Sequence, residues 1–348
     1  MSNRPLSGNT LPGWVSGMLS PLAGIYGRVV AGRNRRFDAG EGVVDLKEPV
    51  ISVGNLTLGG TGKTPVCQYL VSVLRDAGKT PAIAMRGYGA SSDGVSDEAL
   101  EYSSMFEDLP LAVGADRVAS LEALRKKSAF DCVVLDDGFQ HRRIARDLDI
   151  VLIDATRPGL NDRLLPAGRL REPPSSLARA DIVLVTRAQT GVDDALARRI
   201  ASCSGASPIA WLQHVWAKDV EAYHAEAPME LIDIEALRGM SLGVSLGVGN
   251  PASVREAIES CGAKIVFEQN ARDHQVYSEQ RTRRLFENAR SRGAEAVLVT
   301  PKDWMKLQRW KSAFDESMPV FVPRLEVRVL EGEDALREMV VEAATLQS

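Results

Sequence analysis

The stretch "VISVGNLTLGGTGKTPVCQYLVSVLRDAG", starting at Val50, constrains this chain more than any other. An apolar run ends at Gly54 and a glycine-rich turn follows. Val66, Tyr69, Leu70, Val73 and Leu74 then recur at the spacing of a helix with one buried face. A strand, a glycine loop and a helix in that order turn backbone N–H groups and a helix N-terminus toward one point, an arrangement suited to binding phosphate. Gly59, Gly60 and Gly62 supply backbone angles that other residues resist. Lys63 and Thr64 stand where a phosphate-reaching lysine and a Mg²⁺-binding hydroxyl are needed. Pro65 is tolerated in a first helical turn, where the missing N–H would have no partner anyway. The strict pattern asks for glycine where Thr57 stands, so the nucleotide contacts expected are Thr57, Gly59, Gly60, Thr61, Gly62, Lys63, Thr64 and Pro65 in a variant loop.

Downstream, apolar runs such as "PAIAMR", "CVVLDD", "LDIVLIDA" and "ADIVLVTR" alternate with helical stretches such as "GADRVASLEALRKKSA". Near-continuous apolar strands separated by helices suit a parallel sheet covered on both faces. The fold class expected is α/β, a P-loop NTPase-type parallel sheet covered by helices, with a second, smaller α/β lobe. Its boundaries are an N-terminal segment over 1–40, a core over 41–205, linking strands over 206–235 and the smaller lobe over 236–348. The formal net charge of −4 shows no global basic footprint and argues against a nucleic-acid partner. Four scattered cysteines form no C-x-x-C pair, and the four histidines have no metal-ligand spacing, which argues against zinc.

Asp136 and Asp137 directly follow "CVVL", and an acid at such a strand end reaches the metal beside the loop in P-loop proteins. Either of the two is expected to serve Mg²⁺. Arg86 and Tyr88 end another strand, where a sheet's C-terminal rim meets substrate. Asp97 in "VSDEAL" is a base candidate, and Arg117 follows in "VGADRV". "DRLLPAGRLREP" offers Arg163, Arg169, Arg171 and Glu172 as an anion clamp. His274 lies in a polar loop beside Asp273. An arginine-rich rim around a phosphate loop suits phosphoryl transfer from ATP or GTP to an acidic substrate. A soluble P-loop kinase or NTPase acting on another phosphorylated metabolite, and a nucleotide-switched P-loop regulatory protein, remain as alternatives.

From Leu6 to Gly27 the chain carries no charge. Read as a helix from about Trp14, it sets Trp14, Met18, Leu22, Ile25 and Val29 on one face, with Arg28, Arg33, Arg35 and Arg36 beside it. That is the pattern of a helix lying in a membrane surface, and also of a helix docked on its own domain.

The combination of "ISVGNLTLGGTGKTP", "RGYG", "LDDGFQHRRIARDLDI", "RLLPAGRLREP", "DH" with a following tyrosine, and "TPKD" closely resembles the tetraacyldisaccharide 4'-kinase family, over almost the whole chain. Thr57 is also what this family tends to have. The resemblance implies ATP, Mg²⁺ and transfer of phosphate to the 4'-hydroxyl of an acylated glucosamine disaccharide 1-phosphate, giving lipid IVA. It implies a peripheral enzyme on the cytoplasmic face of the bacterial inner membrane, and a monomer is expected. It maps the family's catalytic aspartate onto Asp97 and its partner histidine onto His274. Lys63 and Asp137 complete the expected catalytic set, with substrate contacts from Arg86, Tyr88, Arg117, His141, Arg171 and Glu172. Ser96 and Ala99 depart from the glycine and proline that flank the family's Asp-Glu pair.

Overall fold

A computed structural model describes residues 13–87, 97–247, 251–270 and 277–346, without the side chains of Asp97, Glu98 and Asn270. In chain order the elements begin with α1 (Gly13–Asp38), β1 (Val50–Asn55), α2 (Lys63–Asp76), β2 (Pro81–Met85), α3 (Asp97–Met105), β3 (Leu111–Val113) and α4 (Arg117–Arg125). There follow β4 (Cys132–Asp136), β5 (Leu148–Asp154), β6 (Ile182–Thr186), α5 (Asp194–Ser204), β7 (Ala210–Tyr223) and β8 (Glu230–Asp233). The chain closes with β9 (Ser241–Leu246), α6 (Pro251–Ser260), β10 (Lys264–Asn270), α7 (Glu279–Ser291), β11 (Ala296–Val299), α8 (Pro301–Leu307), β12 (Val320–Glu331) and α9 (Glu333–Ala343). These divide into one unit of 1–86, 110–213 and 329–348, and another of 87–109 and 214–328.

In the first unit the strand order is β6-β5-β1-β4-β2-β3, every pair parallel. Every residue of β1, β2, β4, β5 and β6 is buried, which is why these strands read as unbroken apolar runs. Because β1 lies between β4 and β5, the loop leaving β1 neighbours the acidic end of β4, with Val53 paired to Asp136. Helix α2 buries Val66, Leu70, Val73 and Leu74, the face its spacing predicts. Burial of each such side chain stabilises the fold by about 1.5–3 kcal/mol.

Two segments fall on the other side of the boundaries expected from the sequence. Residues 87–109 belong to the second unit, and the C-terminal helix α9 belongs to the first. Helix α9 buries Leu336 and Val340 and meets α2, where the Tyr69 hydroxyl donates to Glu333 at 3.2 Å. Packing partners so distant in sequence leave no trace in local periodicity.

Helix α1 runs unbroken through Pro21 and docks on the 163–172 segment of its own unit. The Ser16 hydroxyl donates to the Ala167 carbonyl (2.6 Å), the Tyr26 hydroxyl to that of Arg171 (3.0 Å), and the Asn34 amide to Glu172 (2.6 Å). Ala23 and Val30 are buried, whereas Trp14, Met18, Leu22, Ile25 and Val29 are between 51% and 72% exposed. The apolar stripe thus faces outward and a mixed polar face does the docking. Among the described residues no helix is long and apolar enough to cross a membrane.

In the second unit the strand order is β10-β9-β11-β12-β7, with β8 antiparallel on β7. Strands β10, β9, β11 and β12 are parallel neighbours. Leu285, Phe286, Val297, Val299, Trp304 and Leu307 form one core layer; Leu242, Val244, Leu246, Ile258 and Leu298 form another. Helix α3 packs against α8. The N-terminus of α8 is closed by Thr300, which accepts from the Asp303 N–H at 3.2 Å.

Candidate active site

The loop between Asn55 and Lys63 is shaped by two left-handed glycines, Gly59 at φ 111° and Gly62 at φ 81°. Gly62 caps α2, so Lys63 and Thr64 open the helix with their backbone N–H groups unclaimed by an earlier turn. Thr57 needs no left-handed angle. It forms an antiparallel bridge with Leu170, and neighbouring hydrogen bonds run from Leu58 N–H to the Arg169 carbonyl and from Arg171 N–H to that of Leu56. The irregular position is therefore extended backbone, where a β-branched residue is at home. Thr61 is held from behind, its carbonyl accepting from the buried Thr186 hydroxyl at 2.9 Å. Pro65 is buried in the first turn, and Gly60 is exposed.

Strand β4 delivers the acidic pair beside this loop. Asp136 is buried on the strand, and Asp137 turns off it with a left-handed φ of 54°. Arg117, itself buried, fixes the turn by donating to the carbonyls of Asp136 (2.8 Å) and Asp137 (3.2 Å). The Asp137 carboxylate accepts two bonds from Arg171, both 2.8 Å, and its Oδ1 lies 3.4 Å from Lys63 Nζ. Burial alone would push this carboxyl up. The Arg171 hydrogen bonds and the charges of Lys63, Arg171 and Arg117 overrule it and hold the group well below the usual carboxylate range.

Asn55, which the sequence reading did not single out, ties the pieces together. Its side-chain oxygen accepts from Lys63 at 3.4 Å and from Arg171, while its amide donates to the Thr57 carbonyl at 3.0 Å. Its own carbonyl accepts from the Gln140 amide at 2.9 Å. The available signal was a polar residue closing an apolar strand just before the glycine run. Gly54 matters for a related reason. A Cβ there would lie 2.5 Å from Phe139 Cβ and 2.6 Å from its backbone nitrogen, so only glycine lets "DDGFQ" close on β1.

Several expected substrate contacts have other partners. Arg117 serves the carbonyls just described. Glu172 is fully buried, accepting from Asn34 and Arg179 and lying 3.8 Å from Arg33, so its carboxylate anchors α1. His141 is partly buried, and burial together with Arg117, Arg146 and Arg143 lowers its pKa to about 4, leaving the ring neutral near pH 7. Arg86 is exposed at the end of β2. Asp97 opens α3 in the second unit. Tyr88 and His274 lie outside the described residues.

Lys63, Asp137, Arg171 and Asn55 thus converge at a helix N-terminus, where dipole, lysine and N–H groups favour an anion. Among the described residues no group of three or more His, Cys, Asp or Glu side chains is placed to hold a metal by itself. The oxygen donors at hand are the Thr64 hydroxyl and the carboxylates of Asp136 and Asp137. Fold and site together define a P-loop protein built to handle a phosphoryl group.

The sequence model of a family described as tetraacyldisaccharide-1-P 4'-kinase matches residues 15–345. A tetraacyldisaccharide 4'-kinase of Geobacter sulfurreducens is 35% identical over 90% of this chain and 90% of its own. One from Chlorobium limicola is 30% identical over 93% of this chain and 97% of its own. The solved structure of an "apo" form of LpxK from Aquifex aeolicus in complex with ATP superposes with a TM-score of 0.68 at 28% identity. It covers 94% of this chain and 99% of that one. The chain belongs to the tetraacyldisaccharide 4'-kinase family and is a kinase that phosphorylates the 4' position of tetraacyldisaccharide 1-phosphate.

Proposed function

We propose that this kinase takes its phosphate from ATP, uses Mg²⁺, and works as a monomer docked on the cytoplasmic face of the bacterial inner membrane. The observation that carries the reading is the convergence of Lys63 and Arg171 on Asp137 at the N-terminus of α2. Lys63 and the loop N–H groups from Gly59 to Thr64 hold the transferring phosphate. Asp137, kept ionised by its cationic neighbours, holds Lys63 in the loop before nucleotide arrives. Thr64 with Asp136 or Asp137 suits Mg²⁺, a hard cation that keeps several waters and takes one or two protein oxygens beside phosphate. Bound there, it would neutralise charge on the phosphate oxygens. Asp97 accepts the proton of the sugar 4'-hydroxyl and His274 orients it, the acid–base roles that the family motifs imply for these two residues.

The solvent-facing apolar stripe of α1 supports the membrane assignment, since a tetraacylated substrate stays in the bilayer and the enzyme must meet it there. The test is an assay of detergent-dispersed tetraacyldisaccharide 1-phosphate with ATP and Mg²⁺, resolving product by mass. Lys63→Ala is expected to lower kcat by about 100-fold or more. Asp97→Ala is expected to lower kcat with little change in KM. A folded Asp97→Ala enzyme turning over at the parent rate would remove Asp97 from the chemistry.

A further inference from the structure

Where the apolar stripe of α1 ends, a cavity of about 280 Å³ begins, lined by Arg33, Arg36, Phe37, Glu41, Gly42 and Arg143. Arg36 follows Val29 by seven residues and Arg33 follows it by four. At about 100° per residue both point within about 40° of Val29, and Arg36 sits about 10 Å further along the axis. The cavity is thus built on the helix face that carries Trp14, Met18, Leu22, Ile25 and Val29. Arg143 is brought to it from the segment after Asp137, the same segment that packs on β1.

The lining holds three guanidinium groups against the single carboxylate of Glu41. Their present partners are weak competitors. Arg36 pairs with Glu41 at 2.8 Å between largely exposed side chains, and Arg143 with Asp116 at 2.8 Å between half-exposed ones. Arg33 reaches Glu172 only at 3.8 Å. Exposed pairs of this kind add little stability and exchange readily for a better anion. A phosphate, with oxygens matched to the guanidinium fork, is such an anion. Phe37 adds an apolar wall, stiffened by Arg142 lying 5.7 Å from its ring centre.

We propose that this cavity is a seat for the phosphate of an anionic phospholipid headgroup, distinct from the phosphoryl-transfer site. Continuity with the apolar stripe selects a bilayer lipid over a free phosphate. With the stripe in the acyl boundary, the arginines that extend it meet the headgroup layer. The proposal rests on the membrane reading of α1, and its test separates the two.

Flotation is measured with vesicles of phosphatidylcholine alone and of phosphatidylcholine mixed with phosphatidylglycerol. The proteins compared are the parent, the pair Arg36→Gln/Arg143→Gln, and a control pair of equal charge loss, Arg238→Gln/Arg283→Gln, on the second unit. Thermal melts check that all three are folded. The parent should favour the phosphatidylglycerol vesicles. The pocket pair should lose about tenfold to thirtyfold in partitioning to them, and the control pair should lose little. A pocket pair that keeps the preference as fully as the control overturns the headgroup site, as does a parent that binds both vesicles equally. A parent that floats with neither overturns the membrane reading itself, and the headgroup site with it.

Discussion

Alanine at Gly54 is a small change with a calculable consequence. Gly54 has an ordinary φ, so the added methyl causes no backbone strain of its own. The methyl carbon would lie 2.5 Å from Phe139 Cβ, 2.6 Å from Phe139 N and 3.1 Å from its Cα. Ordinary carbon contacts sit near 3.5–4.0 Å, so one segment must retreat by about 1 Å. Two of the three atoms are backbone, and Phe139 is fully buried, so no rotamer change relieves the clash. Overpacking of this kind costs about 1–3 kcal/mol, and the backbone contacts place this case at the upper end. For a unit of roughly 200 residues that lowers Tm by about 6–12 °C. The retreat also stretches the bond from Gly138 N–H to the Val53 carbonyl, 2.9 Å here, and withdraws Asp137 from Lys63. Kinase activity should therefore fall even at temperatures where the variant is fully folded. Gly191→Ala, outside the phosphate loop, is the matched control, since its methyl would come no nearer than 3.6 Å to a Glu331 carboxylate oxygen. Circular dichroism melts and steady-state kinetics on both variants decide the matter. A Gly54→Ala protein with the parent's Tm and kcat would refute the packing argument.

Asp137→Asn should abolish most activity and lower stability by about 2 kcal/mol, because Arg171 and Lys63 lose a charged acceptor. The folded pKa of Asp137 is depressed, so its contribution is complete above the unfolded value near 4 and is lost below it. Urea titrations should show a constant gap between parent and variant from pH 8 to about 5 that narrows under more acid conditions. His141 has the same sign with a different window. Its folded pKa of about 4 lies below the unfolded 6.5, so the parent loses stability as pH falls from about 6.5 toward 4. A His141→Gln variant should show a shallower loss across that range. Replacing Trp14, Met18 and Val29 together with Gln should leave Tm near the parent's, since all three are exposed, while vesicle recovery drops sharply.

The phosphate loop was legible because every signal it needs is local: an apolar strand, glycines with special angles, and a 3.6-residue periodicity after them. The parallel sheet was legible for a similar reason, since strands buried on both faces leave no polar alternation. Asp136 and Asp137 were recognisable from their place at a strand end. Arg117 and Glu172 show where such reading stops. A charged residue has the same letter whether it meets substrate or, as here, bonds two carbonyls or anchors a helix. Thr57 was a puzzle in the sequence because its explanation, the bridge to Leu170, lies more than a hundred residues away. The allocation of residues 87–109 and of α9 to their units depends on equally remote contacts.

The segment from Arg163 to Glu172 touches everything that matters in the first unit. Its backbone accepts from Ser16 and Tyr26, its last carboxylate takes the amide of Asn34, and its Arg171 grips Asp137 and Asn55. A single short strut therefore carries the outward-facing helix on one side and the phosphate site on the other. With the stripe of α1 seated in a bilayer, that strut sets the height at which Lys63 stands above the surface. Under the proposed seating the strut would act as a gauge, matching the phosphate site to sugar hydroxyls held at one height above their acyl chains. Because Leu170 and Arg171 also bond the phosphate loop, a change in the length of the strut would shift that height and the loop together.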